Sequence, residues 1–439
     1  MKKSTIIWVA LASVILVPFI AMNATIISSG AKNEIPEGDG GRLSVQIHTN
    51  GAEKVEAVWT DLINDFMDET DIQVKTYKGV MVNTQLKTQW DSNNPPDFVF
   101  VDGNGLSDAA MVKDGKFLAL DEWWASATIS EEDRTKLSAL VDPKLITQYR
   151  DGKMYTIPIL KEANGAFYDK TFIEENGFHI PHNFTELLST AEEFKAKGVA
   201  PLTYPGQYAP YLLWAYIMPS YAAYEDTAFF DAVCSAKDSS IYRDPRFREV
   251  LERYASFVNA GNLLNDTINY SHSQSQAAWI NHDAAAISNG LWLEGEIASS
   301  LAAKPDFKMM FTNSPLILDT QKETSVFTPK TIAIASKGKN QKNALRFAAY
   351  LLREKNQQRL VEAYGYLSSH RDFEYEGLDL TDCAKQAFAT LQGAENIVYH
   401  RYDWGTVGDI FNTVINGIGD GTCTVDAGIE RIINEANKQ

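Results

Sequence analysis

The sequence predicts an α/β protein with two lobes joined by hinge crossings around a ligand cleft. Segments with strand and helix periodicity alternate along most of the 439 residues, which is typical of α/β folds. A helix-rich and aromatic-rich stretch interrupts this alternation, and strand-like segments resume after it. The chain is therefore expected to leave the first sheet near residue 160 and to return near residue 316. The space between two such lobes is the natural ligand site.

The first lobe begins with a strand, a helix and a second strand. Residues 43–48 and 72–77 alternate apolar and polar side chains, and residues 53–68 carry apolar side chains at helical spacing. Residues 97–101 (DFVFV) form a short and almost wholly apolar run, as expected of a strand buried on both faces of a parallel sheet. The start of the body is therefore predicted to be a doubly wound α/β unit.

A different pattern begins near residue 151. Helical stretches are predicted at 169–175 and 184–197, and seven Tyr and Trp residues lie between 204 and 224. Strand-like runs occur at 152–160, 284–288, 307–312 and 331–336, before amphipathic helices that continue to the C-terminus. The predicted boundaries are 42–161 and 316–370 for lobe 1, and 162–315 and 371–439 for a helix-rich α/β lobe 2.

The N-terminus has the layout of an export signal. Two lysines precede an uncharged stretch that ends at residue 31 and has an apolar centre at 6–22. This centre is near the lower limit for crossing a bilayer, roughly 17 residues, so residues 1–31 are predicted to be a cleaved signal peptide or an N-terminal membrane anchor. No cysteine follows the apolar run, which argues against a lipid-modified anchor. Residues 32–41 are polar and glycine-rich and are predicted to be a linker.

Composition and motifs exclude several classes of protein. The chain has 40 basic and 57 acidic residues, a formal charge of −17, so neither nucleic acid nor an anionic membrane surface would attract it. HExxH, GxSxG, GxxxxGK[ST] and paired CxxC motifs are absent from the sequence. No catalytic residue, metal or cofactor is predicted. Three cysteines cannot form a disulfide scaffold; Cys383 and Cys423 could pair, or the thiols could be free and buried.

Aromatic residues are the stronger signal, with nine Trp, 19 Tyr and 21 Phe. Sugar rings have apolar faces and hydroxyl rims, so a sugar site needs flat aromatic platforms with polar side chains beside them. A Trp platform covering about 100 Å² contributes about 2.5 kcal/mol. The best local candidate is the segment 271–297, where a small-residue strand ends at Gly290 and is followed by Trp292 and Glu294. Ligands of open α/β sheets bind at such strand ends.

Residues 271–297 resemble the pattern of bacterial extracellular solute-binding proteins of family 1, the receptors of carbohydrate ABC importers. Almost the whole body is covered by the resemblance, which includes segments at 95–103, 114–123, 152–158, 167–204 and 331–352. The segments at 201–214, 272–279 and 290–297 are most similar to the branch that captures N-acetylglucosamine and its β-linked disaccharide. Two features depart from the family pattern: the lipid-anchor cysteine is missing, and Phe184 stands where a tryptophan is usual.

The resemblance implies a periplasmic-binding-protein-like fold and a set of ligand-binding residues. Asn50 and Asp102 would follow strands of lobe 1, Glu162 and Asn164 would lie at the first hinge crossing, and Trp292 with Glu294 would form the central platform and its hydrogen-bond partner. The remaining implied contacts come from lobe 2 and from the segment before the C-terminal helices, and they are Tyr208, Tyr211, Trp214, Gln276, Trp279, Arg401 and Trp404.

The implied function is that of an exported receptor and not of an enzyme. It would capture a mono- or short oligosaccharide, with N-acetylglucosamine-containing sugars among the candidates, and would deliver it to the membrane permease of an ABC importer. We expect a monomer, without a nucleic-acid partner, in the periplasm or at the outer face of the cytoplasmic membrane. Two alternatives stay open. One is a secreted glycosidase with a carboxylate pair such as Glu294 and Asp102, and the other is a receptor of the same fold for a non-sugar solute.

Overall fold

The computed structural model describes residues 41–80, 82–101, 107–208 and 210–438. The predicted signal or anchor, nearly all of the predicted linker, and Asp102 lie outside these residues. Within the described ranges, no helix has the length and apolar character needed to cross a membrane.

The eleven strands of the described chain belong to two mixed sheets. Their bounds are β1 Arg42–His48, β2 Gln73–Gly79, β3 Phe98–Val101, β4 Thr156–Glu162, β5 Asn164–Asp169, β6 Ala200–Thr203, β7 Ala284–Gly290, β8 Met309–Thr312, β9 Thr324–Ile334, β10 Leu367–Ser368 and β11 Asn396–Tyr399. The first sheet has the order β10-β4-β9-β3-β1-β2, with β11 beside β9, and the second has the order β6-β7-β5-β8. The predicted α/β class with two lobes is confirmed.

Helices cover both sheets. Their bounds are α1 Glu53–Thr70, α2 Val82–Asp91, α3 Asp108–Lys113, α4 Asp121–Ser126, α5 Leu137–Leu140, α6 Lys170–Asn176, α7 Phe184–Ala196, α8 Pro210–Leu212, α9 Met218–Ala222, α10 Thr227–Ser235, α11 Pro245–Asn259, α12 His272–Ile280, α13 Leu293–Glu296, α14 Ala298–Ala302, α15 Gln341–Leu351, α16 Glu354–Tyr364, α17 Asp382–Gly393, α18 Val407–Gly419 and α19 Val425–Ala436. Short 3₁₀ turns at Pro143–Leu145, Ser239–Arg243 and Thr267–Asn269, and a π-helical turn at Leu213–Ile217, complete the set in the described chain.

Strand pairing shows how the chain passes between the sheets. β1 runs parallel to β2 and β3, as the strand–helix–strand pattern predicts. β4 lies in the first sheet and β5 in the second, and Ala163 alone separates them. The chain returns in the long strand β9, which is antiparallel to β3 and β4. These crossings bring the ends of β4, β5 and β9 to the junction of the two sheets.

The end of β1 is held by buried aromatic residues. Val55, Trp59, Ile63 and Phe66 follow helical spacing and place the apolar face of α1 in the core. Trp59 Nε1 donates to the hydroxyl of Tyr364 over 2.7 Å, and this hydroxyl donates to the carbonyl of His48 over 3.1 Å. A buried hydrogen-bonded chain of this kind fixes the loop that follows β1.

The three thiols are free. Cys234, Cys383 and Cys423 are buried and none forms a disulfide, so the pairing of Cys383 with Cys423 that the sequence left open is absent. Burial raises the pKa of the Cys383 thiol, which makes it a poor nucleophile. Packing therefore stabilises the described part of the chain without a covalent cross-link.

Candidate functional site

A cavity of about 860 Å³ lies where the two sheets meet. Small-molecule sites in proteins usually fall between about 300 and 1,000 Å³. Its walls come from the loop after β1, the β4–β5 crossing, β9, α12, the segment after β7 and the segment after β11. Nine of the residues predicted from the sequence line this cavity: Asn50, Glu162, Asn164, Tyr208, Tyr211, Trp214, Gln276, Trp292 and Arg401.

Trp292 occupies the junction of the two apolar cores and packs against both. Its ring meets Tyr211 and Tyr366 edge-on, with centroids 5.9 and 6.5 Å away. The ring lies directly over Gly290, since a Cβ at that position would be 2.0 Å from Cζ3 of Trp292. Glycine at the end of β7 is therefore required by the position of the indole, and the ring is a fixed wall of the cleft.

The carboxylate that accompanies Trp292 is Glu296, and the prediction of Glu294 needs correction. The amide of Glu296 donates to the carbonyl of Trp292 over 3.2 Å, which is one helical turn, so these two side chains share a face of α13. Glu294 lies about 200° around the axis from Trp292 and does not line the cavity. It instead accepts a hydrogen bond from Thr381 at the start of α17, over 2.6 Å.

Burial dominates the electrostatics of Glu296. It raises the pKa of this carboxyl from 4.5 to about 7, while the hydrogen bond from Gln276 acts in the opposite direction. Gln276 Nε2 donates to Oε2 over 2.6 Å. Burial therefore brings the titration of this carboxyl group into the neutral pH range.

Gln276 and Trp279 lie on the same helix but have different surroundings. His272, Ser273 and Gln276 of α12 line the cavity. Trp279 is about 4.5 Å further along the helix axis than Gln276, is fully buried, and packs edge-on against Phe307 at 4.9 Å. The structure thus contradicts a ligand contact for Trp279, because the helix carries this side chain away from the cleft into the core.

A stacked pair forms the wall next to α12. The ring of Tyr208 lies parallel to His272 at 4.0 Å, and the hydroxyl of Tyr211 is 2.7 Å from Nε2 of His272. Burial lowers the pKa of His272 below its ordinary value, so the imidazole is neutral at pH 7. Tyr208 and Tyr211 both line the cavity, and His272 fixes their orientation.

Trp214 and Trp404 form a stack of which one member lines the cleft. Trp214, in the π-helical turn, lines the cavity, and its ring lies 5.6 Å from that of Trp404. Trp404 is 7% exposed, stacks on Phe411 and donates to the carbonyl of Val233 over 3.1 Å. Trp404 does not line the cavity, which corrects the prediction: because its ring is enclosed by Trp214 and Phe411, it supports Trp214 from behind.

An ion pair lies on the floor of the cleft beside the aromatic wall. Lys330 Nζ of β9 is 3.1 Å from Glu162 Oε2, and both side chains are largely buried. The same ammonium lies 5.6 Å from the ring centroid of Trp292 and 6.0 Å from that of Tyr366. Tyr366 accepts a hydrogen bond from Asn50 Nδ2 over 3.1 Å. Residues of both predicted lobes therefore contact one aromatic cluster.

Several lining residues were not predicted from the sequence. Among them are Glu296, His272, Lys330, Tyr366 and His400. Only Glu296 carries a local signal, since it is four residues after Trp292 in a helical segment. Burial lowers the pKa of His400 to about 3, so this imidazole is also neutral.

The glycosidase alternative depends on a pair of carboxylates, for which the sequence named Glu294 and Asp102. Glu294 lies outside the cleft and Asp102 outside the described residues, so the carboxylate pair named for a glycosidase has no geometric support. Glu162, a carboxylate on the cleft floor, is held by Lys330. In the part of the chain that the structure describes, no cluster of three His, Cys, Asp or Glu side chains could hold a metal ion.

Two α/β lobes with a polar and aromatic cleft at their junction define the class of solute-binding proteins. The chain belongs to the family described as bacterial extracellular solute-binding protein, whose sequence profile matches residues 50–358.

Individual relatives extend this assignment. The multiple sugar-binding protein of Streptococcus mutans is 20% identical over 414 residues, which cover 91% of this chain and 92% of the relative. The diacetylchitobiose binding protein NgcE of Streptomyces coelicolor is 24% identical over 251 residues, 56% of this chain and 51% of the relative. Among solved structures, the bacterial solute receptor AcbH, described as having an exclusive preference for β-D-galactopyranose, superposes with a TM-score of 0.73 at 12% identity, covering 91% of this chain and 99% of AcbH.

Proposed function

We propose that this protein is the substrate-binding receptor of an ABC importer and captures a carbohydrate, either a monosaccharide or a short oligosaccharide. The observation that carries the proposal is the Trp292 platform, which is flanked by Tyr211 from one side of the cleft and Tyr366 from the other. Flat aromatic faces bind the apolar faces of sugar rings. Relatives whose names describe sugar binding support the same conclusion.

Capture would work by closure of the lobes. A ligand stabilises the closed form only by the difference between its affinities for the closed and open forms. Lobe 2 would supply contacts from Trp292, Tyr211 and Gln276, and lobe 1 would supply one from Asn50. The ion pair of Glu162 with Lys330 lies between them at the crossing. Because one sugar would touch both sides, it would favour closure, and the closed shape is what a permease would recognise.

The polar residues of the cleft favour a neutral ligand. Three carboxylates line it, those of Asp108, Glu162 and Glu296, and Lys330 is paired with Glu162. An anion would have to approach Glu296, whereas hydroxyl and acetamido groups can donate to it. N-acetylglucosamine and its β-linked disaccharide are therefore the first ligands to test, in agreement with the name of one relative.

We further propose that the protein acts outside the cytoplasmic membrane, as a monomer with no enzymatic activity and with permease subunits as its partners. The family description supports an extracellular location. The basic and apolar N-terminus supports export by a signal peptide or anchor. Mass spectrometry of the exported protein would distinguish the two, since an anchor leaves residues 1–31 in place.

Calorimetric titration with a panel of sugars tests the proposal. The panel contains N-acetylglucosamine, diacetylchitobiose, galactose and raffinose. We expect micromolar binding of at least one of them, about −8 kcal/mol. Trp292→Ala should weaken it by about 2.5 kcal/mol, whereas Trp123→Ala, a partly buried tryptophan of α4 outside the cleft lining, should leave it unchanged. Absence of heat from every sugar would refute carbohydrate capture, and release of reducing ends from diacetylchitobiose would refute the absence of catalysis.

A further inference from the structure

We propose that Glu296 binds the ligand through its ionised carboxylate, so that carbohydrate capture strengthens as the pH rises through neutrality. This inference rests on the proposed function and deepens it, because it assigns a specificity-determining residue and a pH response to the same cleft. Glu296 lines the cavity on the face of α13 that also carries Trp292. A ligand ring lying on the indole would therefore have its rim beside this carboxyl group.

One oxygen of the carboxyl group is available. Oε2 accepts the short hydrogen bond from Gln276 Nε2, and Oε1 has no hydrogen-bond partner among the described residues. The bond from Gln276 fixes the orientation of the group, because a side chain held at one oxygen loses most of its rotational freedom. Oε1 is then a preoriented acceptor for a hydroxyl or amide hydrogen of the ligand.

Ligand donors and protons compete for this oxygen. Burial raises the pKa of Glu296 to about 7 in the free protein, against the opposing effect of Gln276. A hydroxyl or amide that donates to the carboxylate stabilises the ionised form and lowers the pKa. Because binding favours deprotonation, deprotonation must favour binding to the same extent. Affinity therefore rises with pH and levels off above the pKa of the free group.

Other titratable groups near the cleft do not reproduce this response. Burial lowers the pKa of His272 of α12, and an effect of its titration on binding would persist in Glu296→Gln. Lys330 of β9 stays paired with Glu162. Glu294 is bonded to Thr381, and its coulombic neighbours are Lys54 and Asp382. Tyr211 and Tyr366 also face the Trp292 end of the cleft.

Titrations at pH 5.5, 6.5, 7.5 and 8.5 test the inference with the same four sugars. For the native protein, we expect affinity at pH 8.5 to exceed that at pH 5.5 by up to about thirtyfold, the limit when the free pKa is about 7 and the ligand binds only the ionised form. Glu296→Gln keeps the shape and the bond to a neighbouring amide but cannot ionise, so its affinity should vary less than about threefold. Glu294→Gln is the matched control, since it removes a neighbouring buried carboxyl outside the cleft and should keep the native profile.

Proton release supplies a second and independent measurement. Titration of the native protein at pH 7 in buffers of different ionisation enthalpy should show release of about half a proton per sugar bound, and none in Glu296→Gln. A native affinity that is constant with pH, or an equal slope in Glu296→Gln, would overturn the role of Glu296 while leaving carbohydrate capture intact. Failure of every sugar to bind the native protein would overturn the proposed function itself.

Discussion

Replacing Gly290 by alanine should weaken ligand binding by displacing the ring of Trp292. A Cβ at position 290 would lie 2.0, 2.3 and 2.4 Å from three atoms of the six-membered ring, against 3.4–4 Å for ordinary contact. The ring must therefore retreat by at least about 1.4 Å. Tyr211 and Tyr366 flank it, so the indole cannot move without losing its position as the cleft wall.

The magnitude follows from the area of the platform. Loss of about 100 Å² of ring contact removes about 2.5 kcal/mol, which is about seventyfold in the dissociation constant. A partial displacement leaves part of this contact, so we expect between about tenfold and about seventyfold weaker binding. Gly290 does not have a left-handed backbone, so the substitution itself introduces no backbone strain and the fold should persist.

A double-mutant cycle with calorimetry measures whether the effect passes through the indole. Gly290→Ala, Trp292→Ala and the double variant are titrated with the sugar that the native protein binds. If the alanine acts only by moving the ring, the double variant should match Trp292→Ala. Gly393→Ala is the control, because its Cβ would meet no atom within 4 Å apart from its chain neighbours and the backbone of its own helix. Native affinity in Gly290→Ala, or an additive loss in the double variant, would refute the reasoning.

Three further predictions concern stability. Glu296→Gln should raise the free energy of unfolding at pH 8 by about 3 kcal/mol and change it little at pH 4. The native carboxyl has a pKa raised from 4.5 to about 7, so its ionisation destabilises the native state progressively as the pH rises through that window. Urea titrations at the two pH values measure this difference. Trp279→Ala should lower the free energy of unfolding by about 3–5 kcal/mol without changing sugar affinity, because its ring is fully buried outside the cleft. A change in the dissociation constant would contradict its assignment to the core. Glu162→Gln removes one charge of a largely buried ion pair and should lower the free energy of unfolding by about 3 kcal/mol, as measured by thermal denaturation. Unchanged stability would show that solvent screens the pair.

Segments with strand and helix periodicity alternate along the chain, and this alternation was enough to predict the fold class. The apolar patterns of the individual segments were enough to predict most of the strands. The structure brings the predicted positions after β1, at the β4–β5 crossing and after β7 to one cavity. This succeeds because side chains at the ends of neighbouring strands in a sheet must lie close together. Their role in binding a ligand stays a prediction.

Three positions predicted to contact ligand do not line the cavity, and no local sequence pattern shows why. Trp279 and Trp404 are of the residue type expected of an aromatic platform, yet neighbouring aromatic rings pack against both. Glu294 was chosen because it follows Trp292 closely, but the segment turns as a helix at Trp292 and presents Glu296 to the cleft. A shift of two residues moves a helical side chain to the opposite face.

The sequence by itself determined the α/β alternation and the aromatic and polar residue types that cluster after β7, and the export signal stays a prediction. Tertiary structure decided which of those residues share a cavity and in what state of charge. Lys330 and Tyr366 reach Trp292 from strands and loops far along the chain, and burial alone moves the pKa of Glu296 to neutrality. Both effects depend on which atoms surround a side chain in space, and the spacing of residues along the sequence does not show which atoms those are.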